Sequence, residues 1–458
     1  MTDKKILSSE EASEIVAKLG LEFAVVHNPA PLYPEIELYA LAPKITAPQK
    51  ELSAVILDLE GTMCSTQELK LHSLEHVVRS ISGRNSKEDW KGLDPLIDHP
   101  NLFGISVSEA TRYLVQRYHN FIKDEELKTA YLHSVLWTII LGRSQERRRD
   151  AVKSLEHLGL GEMLKDTKLE ELRLQKEFNK YNSNVITSYF LHKYGSYLNL
   201  QNFENTVRAA SEIFFQHYYQ MLELISYGEA SSLAEEISGD SQMPIIKAMP
   251  SVSLLFALVK GWLGEEVTYL FEEMSRELKA KSSQVYRISS EEDAKLKLKK
   301  LAEHFRLHPL KIAVVTSSAF YEADIILGEL FHSVSSQIRK WKLPQEKKEM
   351  LIEKFTDYKN VVDVFTTSGD ASKIRPKPHR DLYSVALSQL ALPQNMFNRI
   401  LGFENTENGI IALRASGLGL VAAVPYNLNG RHDFSPAAFV LPGGITEAVL
   451  NYNLFISL

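Results

Sequence analysis

Short runs of consecutive apolar residues constrain the fold of this chain more than any other feature. The run SAVILD at 53–58 carries four apolar residues into Asp58. Three similar runs are KIAVVTSS at 311–318, RILGF at 399–403 and LGLVAAVP at 418–425, and a weaker one is VVDVFTTSGD at 361–370. Such runs are typical of parallel strands buried on both faces, and helix-like stretches separate them here. The sequence therefore predicts an α/β fold with a Rossmann-like parallel sheet and helices on both faces.

The long segment between the first and second strands has a different pattern. Apolar residues recur there at helical spacing, as in the stripe formed by Leu127, Tyr131, Val135 and Ile139. We predict an N-terminal extension at 1–52, an α/β core at 53–62 and 300–458, and a large all-helical insert at 63–299. The extension begins with a capping box of Ser8 and Glu11 and continues as a proline-rich, strand-like arm.

Composition excludes several classes of protein. The net charge of −6 over 458 residues gives no basic footprint for nucleic acid or an anionic membrane surface. Cys64 is the single cysteine, so an internal disulfide is impossible and a reducing compartment is favoured. The apolar windows are shorter than the roughly 20 residues of a membrane span, and the N-terminus lacks a signal-peptide pattern. We expect a cytoplasmic protein that binds neither nucleic acid nor a membrane.

The predicted strands end in residues that can carry phosphoryl transfer. Ligands of an open parallel sheet bind beyond the carboxyl ends of its strands, where the loops converge. Asp58, Thr316 and Glu404 each stand at such an end, and Lys377 lies in the segment that follows the weaker strand. These residues offer a carboxylate nucleophile, phosphate-binding donors, a neutralising cation and oxygen ligands for a hard metal ion.

Four segments closely resemble, in order and spacing, the four motifs of the haloacid-dehalogenase-like hydrolase superfamily. The segments are DLEGT, VVTSS, KPHRDLY and GFENTENGIIALRASGLGLVAAVP. The resemblance covers about 53–66 and 305–425. It is to the β-phosphoglucomutase and phosphoglycolate-phosphatase branch, whose helical cap is inserted between the first and second motifs.

The resemblance implies a Mg²⁺-dependent phosphohydrolase that cleaves a small phosphorylated metabolite through an aspartyl-phosphate intermediate. Two alternatives stay open: a phosphomutase of the β-phosphoglucomutase type, and a non-catalytic binding or regulatory protein that keeps the fold.

The first motif would supply the nucleophile and the general acid and base. By the resemblance Asp58 is the nucleophile, with Gly61 and Thr62 at the phosphate. Glu60 stands where the family usually has a second aspartate, and its carboxyl group is one methylene further from the backbone. Enolase-phosphatases of the superfamily resemble this chain in having glutamate there. An alternative is that Glu60 has lost the acid–base role.

The second and third motifs would bind the phosphoryl group. The hydroxyl of Thr316 and a backbone donor from Ser317 would contact its oxygens, and Lys377 would offset charge on the nucleophile. Lys373 and Arg375 are nearby competitors for that role, but Pro378 and the helix pattern that follows favour Lys377.

The resemblance also implies a Mg²⁺ site formed by Asp58, the backbone carbonyl of Glu60, Glu404 and Asn405. The chain departs from the family here, because Glu404-Asn405-Thr406 replaces the usual Glu-Asp-Ser. One negative charge is lost, so we expect weaker cation affinity.

The insert contains two polar features, each with a functional and a structural interpretation. Arg143 and the run Arg147, Arg148 and Arg149 could hold an anionic substrate group, although a solvated helix face is expected. His72 and His76 are spaced i, i+4 after the first motif and could face a substrate entrance, although an ordinary helix surface is expected.

Overall fold

The computed structural model describes residues 6–28, 33–46, 51–84, 88–281, 290–370, 374–426 and 432–456. The strands in these ranges are β1 (Phe23–His27), β2 (Ile36–Ala40), β3 (Ala54–Asp58), β4 (Cys64–Ser65), β5 (Lys247–Ala248), β6 (Lys311–Val315), β7 (Val364–Thr366), β8 (Ile400–Glu404), β9 (Val421–Ala423) and β10 (Phe439–Val440). The α-helices are α1 (Ser9–Leu19), α2 (Gln67–Ser82), α3 (His99–Leu102), α4 (Val107–Arg117), α5 (Asp124–Ile140), α6 (Gln145–His157), α7 (Thr167–Gln175), α8 (Ser183–Tyr194), α9 (Phe203–Ser226), α10 (Ala230–Ser238), α11 (Val252–Val259), α12 (Phe271–Lys281), α13 (Glu291–Leu307), α14 (Phe320–Lys340), α15 (Gln345–Lys354), α16 (Asp381–Gln389), α17 (Glu407–Ala415) and α18 (Gly444–Leu450).

A six-stranded sheet of order β10-β9-β8-β3-β6-β7 confirms the predicted α/β fold. Every neighbouring pair in it is parallel. All five residues of β3 are buried, because this strand lies inside the sheet and is covered on both faces. Each predicted apolar run contains one strand, and β10 at the sheet edge is an addition that the sequence did not indicate.

The chain divides into two compact units, 1–65 with 246–458 and 66–245. The insert predicted from the sequence extended to 299, whereas residues 246–299 here belong to the unit that contains the sheet. Two contacts explain the difference: β5 pairs with β4, and the backbone of Val259 accepts a hydrogen bond from the amide of Leu310 just before β6. All of α11 is buried in this unit, with Phe256 stacked at 6.3 Å on Phe331 of α14.

The described residues of the 66–245 unit form helices and no strand, which confirms the all-helical insert after the first core strand. Its long helix α9 packs against α2, α4 and α5. Most of α5 from Leu127 to Ile140 is buried, since apolar side chains occupy nearly its whole circumference rather than one narrow face.

The N-terminal segment forms a helix and a hairpin. The predicted capping box is present, because the Ser8 hydroxyl accepts from the amide of Glu11 and the Glu11 carboxylate accepts from the amide of Ser8. The strand-like arm is the antiparallel pair β1–β2, with Phe23 opposite Ala40. Among the described residues, none of the helices has the length and apolar character needed to cross a bilayer.

Candidate functional site

The carboxyl ends of β3, β6 and β8 meet at one edge of the sheet. Asp58 is the last residue of β3 and lies opposite Val315, the last residue of β6. Glu404 is the last residue of β8, which pairs with β3 on its other side. Parallel register therefore brings Asp58, Thr316 and Glu404 to the same edge, and all three are buried.

Lys377 joins the two carboxylates. Its Nζ donates to Oδ1 of Asp58 at 2.5 Å and to Oε1 of Glu404 at 2.6 Å. The exposed fractions of the three side chains are only 9% for Lys377, 10% for Asp58 and none for Glu404, so water does little to screen the charges. One ammonium group thus lies between two buried carboxylates.

Hydrogen bonds from three further residues fix Glu404. Its Oε1 also accepts from the Tyr383 hydroxyl at 2.8 Å. Its Oε2 accepts from the amides of Asn405 and Thr406 and from the Thr406 hydroxyl, at 2.9 to 3.0 Å. The Thr406 hydroxyl also caps α17 by accepting from the amide of Gly409. Glu404 is held rigidly, as a residue that must present an oxygen in one direction requires.

Burial and mutual charge determine the protonation of these groups. Burial raises the pKa of Asp58 to about 7, against the opposing effect of the Lys377 charge. Burial acts in the same direction on Glu404, but Lys377 and the hydrogen bonds outweigh it, and the pKa of Glu404 lies below its usual value. Burial would lower the pKa of Lys377, whereas the two carboxylates raise it above its usual value. Lys377 is therefore charged and Glu404 ionised at neutral pH.

Glu60 is tied to the end of β6. Its Oε1 accepts from the hydroxyl of Ser318 at 2.8 Å, and the amide of Ser318 donates to the hydroxyl oxygen of Thr316 at 3.0 Å. Thr316 is buried and Ser317 is exposed. The second motif thus contacts the first through Ser318, the serine after the one that the sequence analysis selected.

The turn after β3 packs directly against Asn405. Gly61 has a φ of +90°, which favours glycine, and a side chain there would overlap the Asn405 amide. The Thr62 hydroxyl donates to Oδ1 of Asn405 at 3.4 Å. Gly61, Thr62 and Asn405 are therefore in contact, beside Asp58 and Glu404.

Arg375, one competitor for the role of Lys377, faces other partners. Its guanidinium donates to both carboxylate oxygens of Asp381, at 3.0 and 3.1 Å, and to Oε1 of Glu37 at 2.7 Å. Lys373, the other competitor, lies outside the described residues. Among the residues that the structure describes, Lys377 is the cation that contacts Asp58.

Four of the polar residues singled out in the insert have partners within the 66–245 unit: Arg143, Arg147, His72 and His76. Arg147 pairs with Glu212 at 2.8 Å and its guanidinium lies 4.0 Å from the ring centre of Phe215, so it is not part of a purely solvated face. His76 stacks on His217 with ring centres 4.0 Å apart, and both are partly buried. The expectation that His76 lies on an ordinary helix surface is therefore wrong, because α9 covers this side of α2.

Comparison with known proteins gives matches among solved structures only. A scan against models of protein families and a search of curated proteins both find no match. Among solved structures, CbbY from Rhodobacter sphaeroides in complex with phosphate is 14% identical, with 88% of this chain and 100% of that chain covered at a TM-score of 0.35. A proposed phosphoglycolate phosphatase from Lactobacillus delbrueckii is 15% identical, with 88% and 100% covered at 0.35. A proposed β-phosphoglucomutase from Thermotoga maritima is 14% identical, with 87% and 97% covered at 0.32.

The assignment of the candidate site rests on this chain's own residues and contacts.

Sequence reasoning overlooked the residues that support the site. Ser318 and Tyr383 both lie inside the quoted motifs VVTSS and KPHRDLY, yet neither received a role. A one-residue shift at the end of β6 decides whether Ser317 or Ser318 reaches Glu60, and the sequence pattern does not fix that shift. Tyr383 lies in the first turn of α16, and only the packing of this helix shows that its hydroxyl reaches Glu404.

The arrangement offers oxygen donors to a hard cation beside a buried carboxylate. Asp58, Glu404, Asn405 and the carbonyl of Glu60 supply oxygens alone, which is the donor set that hard divalent ions prefer. A bound divalent cation and the ammonium of Lys377 would together suit the site to an anionic ligand at the carboxyl edge of the sheet.

Proposed function

We propose that this protein is a phosphohydrolase that cleaves small phosphorylated metabolites, with Asp58 as the nucleophile. The observation that supports this most directly is the bridge from Lys377 to both Asp58 and Glu404. Three separated segments place an ammonium and two buried carboxylates within hydrogen-bond distance. A strand-end aspartate that only capped a turn would need neither partner.

We propose Mg²⁺ as the cofactor, held by Asp58, the carbonyl of Glu60, Glu404 and Asn405. The donor set fits, because all of its atoms are oxygens and two come from carboxylates. With Asp58 and Glu404 both ionised, these two carboxylates and the Lys377 ammonium have a net charge of −1, which would repel a phosphate dianion. When bound, Mg²⁺ would reverse that sign and stabilise negative charge on the transferring phosphoryl group.

In the first step, a carboxylate oxygen of Asp58 attacks phosphorus and the ester P–O bond breaks. The electron pair of that bond goes to the leaving alcohol, which takes a proton from Glu60. The charge of Lys377 stabilises the ionised form of Asp58 against the cost of burial and offsets charge on the phosphoryl oxygens. Thr316 and the neighbouring Ser317 amide would contact those oxygens, together with Gly61 and Thr62.

In the second step, water attacks phosphorus and the bond to Asp58 breaks. Glu60, now ionised, takes the proton from water, and inorganic phosphate leaves. The hydrogen bond from Ser318 sets the direction of the Glu60 carboxyl group, which compensates for the longer side chain at this position. Both acids then return to their starting states.

The test is phosphate release from a panel of phosphorylated metabolites by the full-length protein with Mg²⁺. We expect turnover of at least one compound and a loss of at least about 10³-fold in Asp58→Asn. The matched control is Asp240→Asn, an exposed aspartate in the 66–245 unit, which should leave turnover unchanged. Loss of turnover in Asp58→Asn alone, with both variants purified in the same way, would exclude a contaminating phosphatase. Equal activity in Asp58→Asn would refute the mechanism. Isomerisation of a hexose phosphate without net phosphate release would instead support a mutase.

A further inference from the structure

A second cluster of potential ligands lies at the opposite edge of the sheet from Asp58. Glu51, His304 and His308 each place one ligand atom within 4.8 Å of those of the other two. The Nε2 of His308 lies 3.9 Å from Oε1 of Glu51, and the two imidazole ring centres are 5.0 Å apart. Glu51 precedes the amino end of β3, whereas Asp58 ends that strand, so this cluster is separate from the candidate active site.

The end of α13 brings the two histidines together. His304 lies in the last turn of α13, and His308 directly follows the helix and donates its amide to the carbonyl of His304 at 2.9 Å. Residues four apart in a helix are neighbours on its surface. The histidines are therefore placed together by backbone geometry and not by a chance meeting of side chains.

Backbone hydrogen bonds position Glu51 independently of the histidines. Its carbonyl accepts from Nε of Arg399 at 2.7 Å, just before β8. Two residues later, the amide of Ser53 donates to the carbonyl of Arg399 and the carbonyl of Ser53 accepts from the amide of Lys311. The segment that carries Glu51 is thus fixed to the starts of β8 and β6.

His304 carries a nitrogen without a hydrogen-bond partner. Its Nε2 is buried and has no partner among the residues that the structure describes. Leaving a buried polar atom in this state costs free energy, and most such atoms in native proteins have a partner. A bound cation would account for a ring nitrogen left in this state beside a second imidazole and a carboxylate.

We propose that Glu51, His304 and His308 form a binding site for a divalent cation of the Zn²⁺ class. Two imidazole nitrogens and one carboxylate oxygen suit zinc and related transition metals, whereas Mg²⁺ prefers oxygen ligands alone. The side chains of His308 and Glu51 are about half exposed, at 48% and 54%, so they are free to close the remaining distance around an ion. Three protein ligands leave the fourth tetrahedral position to water.

An ion there would connect the end of α13 to the segment before β3, and through Arg399 to the start of β8. It would stabilise the unit that contains the sheet, because a ligand that binds only the folded chain shifts the unfolding equilibrium. The proposal is independent of the phosphohydrolase function, since none of the three residues contacts the groups around Asp58.

The experiment is calorimetric titration of the metal-free, full-length protein with Zn²⁺, in excess Mg²⁺ to occupy oxygen-rich sites. We expect one equivalent of Zn²⁺ in the wild type and in Asp58→Asn, and at least about ten-fold weaker binding in His308→Gln and Glu51→Gln. His332→Gln is the matched control, because His332 is an exposed histidine on α14. Zn²⁺ should also raise the melting temperature of the wild type and of His332→Gln, and not that of His308→Gln.

Because His308 and Glu51 are half exposed, their variants should fold, and circular dichroism checks this. Zn²⁺ binding with the same affinity and stoichiometry in all the variants would refute the site. Loss of binding in Asp58→Asn alone would also refute it and would place the ion at the carboxylates. Absence of turnover in the phosphate-release assay has no bearing on either result.

Discussion

The hydroxyl of Tyr39 lies 2.8 Å from Nδ1 of His379, which connects the N-terminal hairpin to the segment that carries Lys377. Tyr39 also donates to Glu37 at 2.8 Å, and since it has one proton to give, His379 must donate through Nδ1. Two residues before Lys377, Arg375 pairs with Glu37 at 2.7 Å. The hairpin therefore holds the chain on both sides of Lys377, which gives the N-terminal extension a structural reason to be present.

Removal of the Tyr39 hydroxyl should loosen the Lys377 segment. In Tyr39→Phe the buried Nδ1 of His379 loses its acceptor, and we expect the free energy of unfolding to fall by about 1–2 kcal/mol. Because Lys377 would then be less well fixed, turnover of a phosphorylated substrate should fall several-fold with little change in KM. Tyr33→Phe in the same segment is the control, since Tyr33 is 98% exposed. Equal losses in the two variants would show that the contact with His379 has no positioning role.

An added methyl group at Gly409 should displace Glu404. A Cβ there would overlap the Glu404 carboxyl group, which five hydrogen bonds hold in place and which is not free to move aside. We expect Gly409→Ala to lose about 1–3 kcal/mol of stability and to weaken Mg²⁺ activation of phosphate release. Gly328→Ala is the matched control, because a Cβ at this exposed position in α14 meets no atom within 4 Å. It should raise stability by up to about 1 kcal/mol. Denaturant titration measures the stability of both variants, and turnover at a series of Mg²⁺ concentrations measures their activation by Mg²⁺.

The sheet could be predicted from the sequence because the parallel strands are short, apolar and buried on both faces. This pattern needs no knowledge of tertiary contacts, and the strands end at residues whose chemistry is recognisable, such as Asp58 and Glu404. The helical character of the insert was equally visible in its periodicity. Its predicted end at 299 differs from the unit boundary at 245, because α11 is apolar all round and the sequence does not say against which unit it packs.

The supporting contacts of the site depend on tertiary structure that no local pattern encodes. The link from Tyr39 to His379 joins residues 340 positions apart, and the one from Ser318 to Glu60 joins residues 258 apart. The stack of His76 on His217 likewise forms only if α9 packs against α2 at the position where the two rings face each other. Periodicity shows which face of a helix is apolar, but it does not show which polar side chain on another element will meet it.

The hydrogen bond between Ser318 and Glu60 should matter only while Glu60 acts as the acid and base. Glu60→Gln cannot donate or accept the transferred proton, and we expect kcat to fall by about 10²–10⁴-fold. Ser318→Ala leaves the carboxyl group present but less well directed, so a smaller, several-fold loss is expected. In the Glu60→Gln background, Ser318→Ala should cost little more. If Ser318→Ala caused the same loss of kcat in the Glu60→Gln background as in the wild type, the positioning role would be contradicted. The double-mutant cycle of these two substitutions measures this coupling directly.

The histidine stack should make the 66–245 unit sensitive to acid. Burial lowers the pKa of His76 to about 4, with further effects from His72 and His133 and from the charge of Arg79, and the pKa of His217 lies well below its usual value. The protonated forms are therefore disfavoured in the folded unit. In the unfolded chain the pKa of these histidines is about 6.5, and above that pH they do not destabilise the folded unit. As the pH falls from there toward their lower pKa in the folded unit, the unit loses stability.

At pH 5 the unfolded chain would carry a proton on His76 that the folded unit largely excludes, which removes about 2 kcal/mol from this residue alone. Hydrogen exchange of peptides from α2 and α9 should show faster opening at pH 5 than at pH 7.5, after correction for intrinsic rates. His76→Phe keeps an aromatic ring for His217 and should reduce that difference. His157→Gln, a change at an exposed histidine of the same unit, should leave it unchanged. The same pH response in His76→Phe as in the wild type would show that the stack is not its source.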